Sequence, residues 1–197
     1  MLTDEQIAVL RQEWQTPPEL FGLLNAEFNF DIDICASKEN HLCPIYYSKY
    51  RSALHNYNPW FTGQGITCAF CNPGFSTPKP WHERASQQLS FVDNRHRVAV
   101  LIGIVNPSAD WYGIADQYCT EIRQLTPRPE FIPPPELAAH YKEIGKRQGG
   151  NDREIGVFIY RWKPHNKPAH TLRWDWIQAC RDAWLPVPKK YQIKGAK

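Results

Sequence analysis

At 197 residues the chain has room for one domain with an elaborated edge, and not for two independent enzymes. Hydrophobic residues make up 42% of it, too many for a disordered tail, and a formal net charge of +3 is too small for a dedicated nucleic-acid coat, although a face that grips a few phosphates remains compatible with it. The six cysteines are scattered through periodic segments, unlike a disulfide framework, and no run approaches the ~20 apolar residues of a membrane span. The acidic, amphipathic start lacks the features of a signal peptide, which makes a cytoplasmic protein the expectation.

Thr3 and Gln6 match a capping box, and Ile7, Leu10 and Trp14 follow at helical spacing, so a first helix is predicted over residues 4–13 and is stopped by Pro17 and Pro18. A short helix over 19–27 leads into a strand over 30–35, whose Phe-Asp-Ile-Asp-Ile-Cys alternation has period two. Residues 36–65 read as loop. A strand over 66–71 then enters Asn72-Pro73-Gly74-Phe75-Ser76, after which 79–89 reads as helix. The unbroken apolar run 98–105 is expected to be a parallel strand covered on both faces, with a helix from 109 to about 118 behind it. Short strands are predicted at 121–125 and 130–132 around Pro127-Arg128-Pro129. The stretch 133–151 opens on three prolines, continues with basic residues and ends in paired glycines, so it reads as a mobile loop or lid. A last core strand is expected at 155–161, and an aromatic amphipathic helix at 171–184 before a basic tail. The chain divides accordingly into a main domain at 1–161, with its lid at 133–152, and a helical extension at 162–197 packed on the same domain.

The strand, Asn-Pro-x-aromatic turn and following helix carry chemical content. The exocyclic amino nitrogen of adenine is a poor nucleophile because its lone pair is delocalised into the ring. Acceptors for both N–H bonds help the nitrogen become tetrahedral, and the side-chain oxygen of Asn72 and the carbonyl of Pro73 are suited to that electrostatic task. Proline fixes its own φ and so holds the direction of its carbonyl. Phe75 is placed to stack on an extruded base, a contact worth ~1–3 kcal/mol in single-stranded systems, extrusion being needed because the target atom is unreachable inside a duplex. Asn-Pro-Gly is also ordinary turn chemistry, so the motif gains its meaning from context. Cys68-x-x-Cys71 with His41 and Cys43 can be drawn as a zinc set, yet residues three apart on a strand point to opposite faces, and no metal site is expected.

The context is a resemblance that runs in order from residue 14 to about 160. Trp14-x-Thr16-Pro17, Phe30-Asp31-x-Asp33-x-Cys35-Ala36-Ser37 with Asn40 behind it, Cys71-Asn72-Pro73-Gly74-Phe75-Ser76 with Trp81, the strand VAVLIGIV with Asp110-Trp111-Tyr112, and Arg128-Pro129-Glu130-Phe131 together resemble the phage-type DNA adenine-N6 methyltransferases, relatives of the Dam-like enzymes. The resemblance implies an α/β, Rossmann-like S-adenosylmethionine-dependent methyltransferase fold, a mostly parallel sheet with helices on both faces. It implies S-adenosylmethionine at the carboxyl edge of the strands, with Trp14, Thr16 and Pro17 at its methionine end and Asp33, Ala36 and Asn40 lining its pocket. Asp33 would accept hydrogen bonds from ribose hydroxyls or the ammonium group, or else cap the segment that follows it; Trp14 is a ligand contact or a core residue. No Gly-x-Gly follows the first strand, so the cofactor loop rests on the resemblance alone.

Asn72, Pro73, Gly74 and Phe75 take the catalytic position, with Gly74 where the family usually has a second proline and Phe75 where it has tyrosine. Phenylalanine keeps the stacking face. Glycine restores backbone freedom worth on the order of 1 kcal/mol, and a proline at position 74, if the backbone permits it, is expected to keep or raise activity. Double-stranded DNA is the implied partner, with no membrane and no obligatory protein partner evident. Arg51, Lys142, Lys146, Arg147 and Arg153 are candidates for its phosphates, with a solvated basic loop as the alternative for residues 138–152. A catalytically impaired DNA-binding homologue, and a methyltransferase for cytosine-N4 or RNA, are the competing functions.

Overall fold

The computed structural model of the chain describes residues 2–61, 65–90, 95–146, 153–163 and 167–192. Its architecture follows from the apolar run at its centre. Every residue of β4 (Val98–Ile104) is buried, which requires a neighbour on each side and a layer on each face. The neighbours are β3 (Cys68–Cys71), parallel to β4, and β6 (Ile155–Arg161), antiparallel to it. With β1 (Ile32–Asp33), β2 (Ile45–Tyr46), β5 (Cys119–Thr126) and β7 (His170–Asp175) the sheet order is β2-β1-β3-β4-β6-β5-β7. β1 runs parallel to β2 and β3, and β5 to β7, so β6 is the one described strand that runs against the rest.

Alternation along the strands separates two cores. Cys68, Phe70, Val98, Val100 and Ile102 meet α2 (Pro18–Phe28) and α6 (Trp176–Asp182) on one face. Ala69, Cys71, Ala99 and Leu101 meet α3 (Lys79–Ser90) and α4 (Tyr112–Tyr118) on the other. The result is the three-layer Rossmann-like arrangement implied by the resemblance. Cys68 and Cys71 fall in different cores, as residues three apart in a strand must. Burial pushes the Cys68 thiol up to about 12.

Several elements differ from the sequence reading, β2 within the predicted loop 36–65 among them. The first helix, α1 (Asp4–Leu10), has its capping box but ends early, because residues 11–17 leave to pair Gln15 with Ile132 in an isolated antiparallel bridge. That bridge is also what the predicted strand at 130–132 becomes. Pro18 opens α2 at its first turn, where proline's missing N–H costs nothing, and Asn29 at φ 52° closes it. The stretch 133–151 contains α5 (Pro135–Glu143), with Leu137, His140 and Tyr141 buried at helical spacing, while residues 147–152 lie outside the described residues.

The predicted helix over 171–184 is instead β7 followed by α6, the break made by Asp175, whose carboxylate accepts the Gln178 N–H at 2.9 Å. β7 docks on β5 because Arg123, paired with Glu27 and Glu121, stacks its guanidinium on Trp174 at 4.7 Å.

The connection from β2 to β3 is anchored from beneath. Trp60 is fully buried, its indole N–H donating to the Ala53 carbonyl at 2.8 Å, and the Arg84 guanidinium donates to the carbonyls of His55, Asn56 and Asn58. Trp60→Ala is expected to destabilise the fold by about 3–5 kcal/mol, the range for a buried aromatic truncation, read as a lowered urea midpoint at unchanged slope.

Candidate active site

Chain order and strand order diverge at two places, where β6 inserts between β4 and β5 and, among the parallel strands, beside β1. β1 is followed by β2 on its outer side, and the chain then crosses back to lay β3 on its inner side. In open α/β sheets the crevice at such a switch point, outside the carboxyl ends of the strands, is where ligands bind. Asp33 is the last residue of β1, and Asn72 is the first residue beyond β3.

The turn after β3 is held from the N-terminal segment. The Asn72 side-chain amide donates through Nδ2 to the Trp14 carbonyl at 3.0 Å, which leaves its Oδ1 without a hydrogen-bond partner among the described residues. Pro73 is buried and Phe75 half-buried, the latter meeting Phe131 edge to face at 5.5 Å and 84°. Gly74 lies against Gln12, whose Oε1 accepts from the Ser76 hydroxyl at 2.8 Å and from the Ser76 N–H at 3.3 Å. A Cβ at position 74 would stand 2.6 Å from Gln12 Oε1 and 2.9 Å from Gln12 Cβ. A side chain at 74, proline included, would therefore have to displace Gln12.

Two residues beyond Trp14, Thr16 is only 3% exposed and its hydroxyl has no partner among the described residues. Asp33 is equally buried, and burial raises its carboxyl to about 6, against the lowering pull of the Leu42 and Cys35 N–H groups and the nearby His41. Those two N–H donors reach it at a long 3.2 Å each, one to each oxygen, so both carboxylate oxygens retain accepting capacity. Asp33 thus caps the following segment and remains able to bind; the two readings of it do not compete. Ala36 and Asn40 sit in the turn behind it, with the Ala36 N–H on the Tyr47 carbonyl and the Asn40 side-chain oxygen accepting the Ser37 N–H at 2.6 Å. Trp14 packs partly buried on the α2 face of the core, and its carbonyl orients Asn72. A buried hydroxyl with nothing to bond, and a buried acid with only long bonds, suit a ligand carrying charged and hydroxyl groups.

The basic candidates sit round this edge. Arg51 is exposed, its guanidinium 5.0 Å from the Tyr47 ring, in a short helical turn on the chain leaving β2. Because β5 ends and β6 begins at the same edge, the connection between them brings exposed Lys142, Lys146 and Arg153 there as well; Arg147 lies outside the described residues. Three further residues went unread in the sequence: Gln12, Phe131 as a partner for Phe75, and Arg11, which donates through Nε to the Tyr141 hydroxyl at 3.2 Å beside Lys146. Nothing local marks them, since each acts through a contact with a distant segment. Among the described residues no helix is long and apolar enough to cross a membrane, and no group of three or more His, Cys, Asp or Glu could hold a metal ion.

A Rossmann-like sheet with a single reversed strand, carrying an Asn-Pro turn at its switch point opposite a buried acid, defines the methyltransferase class. Comparison narrows it: the family description DNA N-6-adenine-methyltransferase (Dam) matches residues 5–181, and the chain belongs to that family. It is similar to the DNA N-6-adenine-methyltransferase of Escherichia phage T1, with 28% identity over 160 residues that make up 77% of this chain and 63% of that protein. The chain thus spans less than two-thirds of that relative's length.

Proposed function

We propose that the protein transfers a methyl group from S-adenosylmethionine to the N6 amino group of adenine in double-stranded DNA. The observation that carries the reading is the orientation of Asn72, whose amide N–H is spent on Trp14 while Oδ1 is left to accept. Asn72 Oδ1 and the Pro73 carbonyl take the two N–H bonds of the amino group, draw its lone pair out of conjugation and carry the positive charge that grows on the nitrogen as it is alkylated. Phe75, its ring plane fixed by Phe131, stacks on the extruded base. The cofactor, when bound, supplies the electrophilic methyl group. Thr16, with Trp14 and Pro17, holds its methionine end, and Asp33 accepts from its hydroxyl or ammonium groups, with Ala36 and the side-chain amide of Asn40 completing the pocket.

Arg51, Lys142, Lys146, Arg147 and Arg153 take the DNA phosphates, and Tyr50, 91% exposed next to Arg51, adds an aromatic face to that bank. Neutralising Arg51, Lys142 and Lys146 together to glutamine should lower the slope of log affinity against log salt by about 0.9 for each phosphate that is no longer neutralised, with cofactor affinity unchanged. An unaltered slope in the triple variant would assign these residues to solvent. The reaction itself is tested by offering labelled donor to duplexes with and without adenine, to single strands and to RNA. Label confined to adenine-containing duplex supports the proposal; equal label on adenine-free duplex, or on RNA, replaces it with another amino-group substrate.

A further inference from the structure

We propose that Gln12 is a positioning residue for methyl transfer, holding the turn Asn72–Ser76 in place of the rigidity that a second proline would give it. The inference rests on the assignment of that turn to catalysis and adds to it the means by which a glycine-containing turn keeps its shape. Two observations converge on one side chain. Gln12 Oε1 accepts both the hydroxyl and the N–H of Ser76 at 2.8 and 3.3 Å. Gln12 also occupies the volume that any side chain at 74 would need, with its own Cβ only 2.9 Å from the site of a Cβ there. The glycine is not required by its backbone angle, since Gly74 is not among the residues with positive φ. It is required by Gln12.

The clasp is carried by a segment with little hold of its own. α1 buries none of its residues, and the chain after it is tied down by the Trp14 carbonyl on Asn72, by the Gln15 bridge to Ile132, and by Arg11 on Tyr141. The turn and the segment therefore position each other: Trp14 orients Asn72 at the start of the turn while Gln12 fixes Gly74 and Ser76 further along. A turn that drifts by even a fraction of an ångström misdirects Asn72 Oδ1, and such misplacement lowers the rate without weakening binding. With no buried residue in α1, removing the clasp leaves both cores intact.

The test is steady-state kinetics on four variants of the full chain, with cofactor and DNA affinities measured separately. Gln12→Leu, which keeps the size but not the acceptor, should lower kcat at saturating DNA by about threefold to tenfold, the range for losing hydrogen bonds of ordinary strength, with KM for DNA and cofactor affinity unchanged. Gln12→Glu, which keeps an acceptor oxygen, should restore most of that loss. Gly74→Ala should lower kcat through collision, and Gly74→Ala combined with Gln12→Gly should recover part of it because the obstructing Cβ is gone. Wild-type kcat in Gln12→Leu, a change confined to KM for DNA, or equal losses in the Leu and Glu variants would each overturn the proposal. A wild-type chain without any methyl transfer would instead overturn the catalytic assignment, and the two failures are told apart by that control.

Discussion

Asn72→Ala should cut turnover by about 10²–10³-fold, the cost found when one preorganised group is removed from a charge-stabilising site, while cofactor and DNA affinities stay within a few-fold. The argument is that Asn72 accepts from the reacting nitrogen, where charge grows only as the bond forms, and so contributes little to ground-state grip. The substitution also deletes the donor to the Trp14 carbonyl, an intramolecular bond worth about 1 kcal/mol, so a small fall in thermal stability should accompany the kinetic one. Asn72→Asp separates the two effects. It keeps an acceptor oxygen but sets a carboxylate against the Trp14 carbonyl, and it should retain more turnover than alanine at a greater cost in stability. Near-normal turnover in Asn72→Ala would remove the residue from the chemistry.

Asp33→Asn should weaken cofactor binding by about 10–100-fold, as expected for hydrogen bonds to a charged group, and should stabilise the unliganded protein at neutral pH. Both follow from the burial that raises its carboxyl from 3.8 to about 6. A group whose pKa is raised on folding contributes stability that is fully present below 3.8 and is lost as pH rises through about 6. Above that pH the folded chain holds an ionised, poorly compensated carboxylate at a cost of about 2–3 kcal/mol, which asparagine avoids. His82 works in the opposite sense. It is buried against Tyr160 and Trp111, and desolvation lowers it from 6.5 to about 3, so its contribution is present above 6.5 and is lost as pH falls toward 3. The two contributions oppose each other between pH 3.8 and about 6 and largely cancel there, so Asp33→Asn should make the stability of the unliganded protein rise more steeply with pH across that range. Cofactor affinity, drawing on ionised Asp33, should decline as pH falls through 6 in the wild type and be flat there in the variant. Calorimetry across that range checks both, and a wild-type affinity indifferent to pH would dissociate Asp33 from the pocket.

What could be read from the sequence was what local pattern and chemical type encode. The strand at 98–104 announced itself by an unbroken apolar run, and the turn at 72–76 by Asn-Pro followed by an aromatic and a helix. Asp33 stood out as an acid within an alternating strand. The elements that escaped depend on partners elsewhere. His170–Asp175 carries the alternation of an edge strand, yet its only reason to be one is the open side of β5 and the guanidinium of Arg123 waiting for Trp174. α5 hides behind prolines that look like loop, although Pro135 at the first turn is compatible with a helix start. Gly74 is a second case in which a distant contact matters. Taken alone it signals a loosened turn, whereas its close approach to Gln12, sixty-two positions earlier in the chain, makes glycine a requirement of packing.

The most direct test of the account is nucleoside analysis of unmethylated duplex DNA after incubation with the full chain and labelled S-adenosylmethionine, run beside Asn72→Ala. The account predicts label recovered as N6-methyladenine from the wild type and essentially none from the variant. Label recovered in another base, or equal label from both proteins, would contradict the assignment of Asn72 and its turn to adenine methylation.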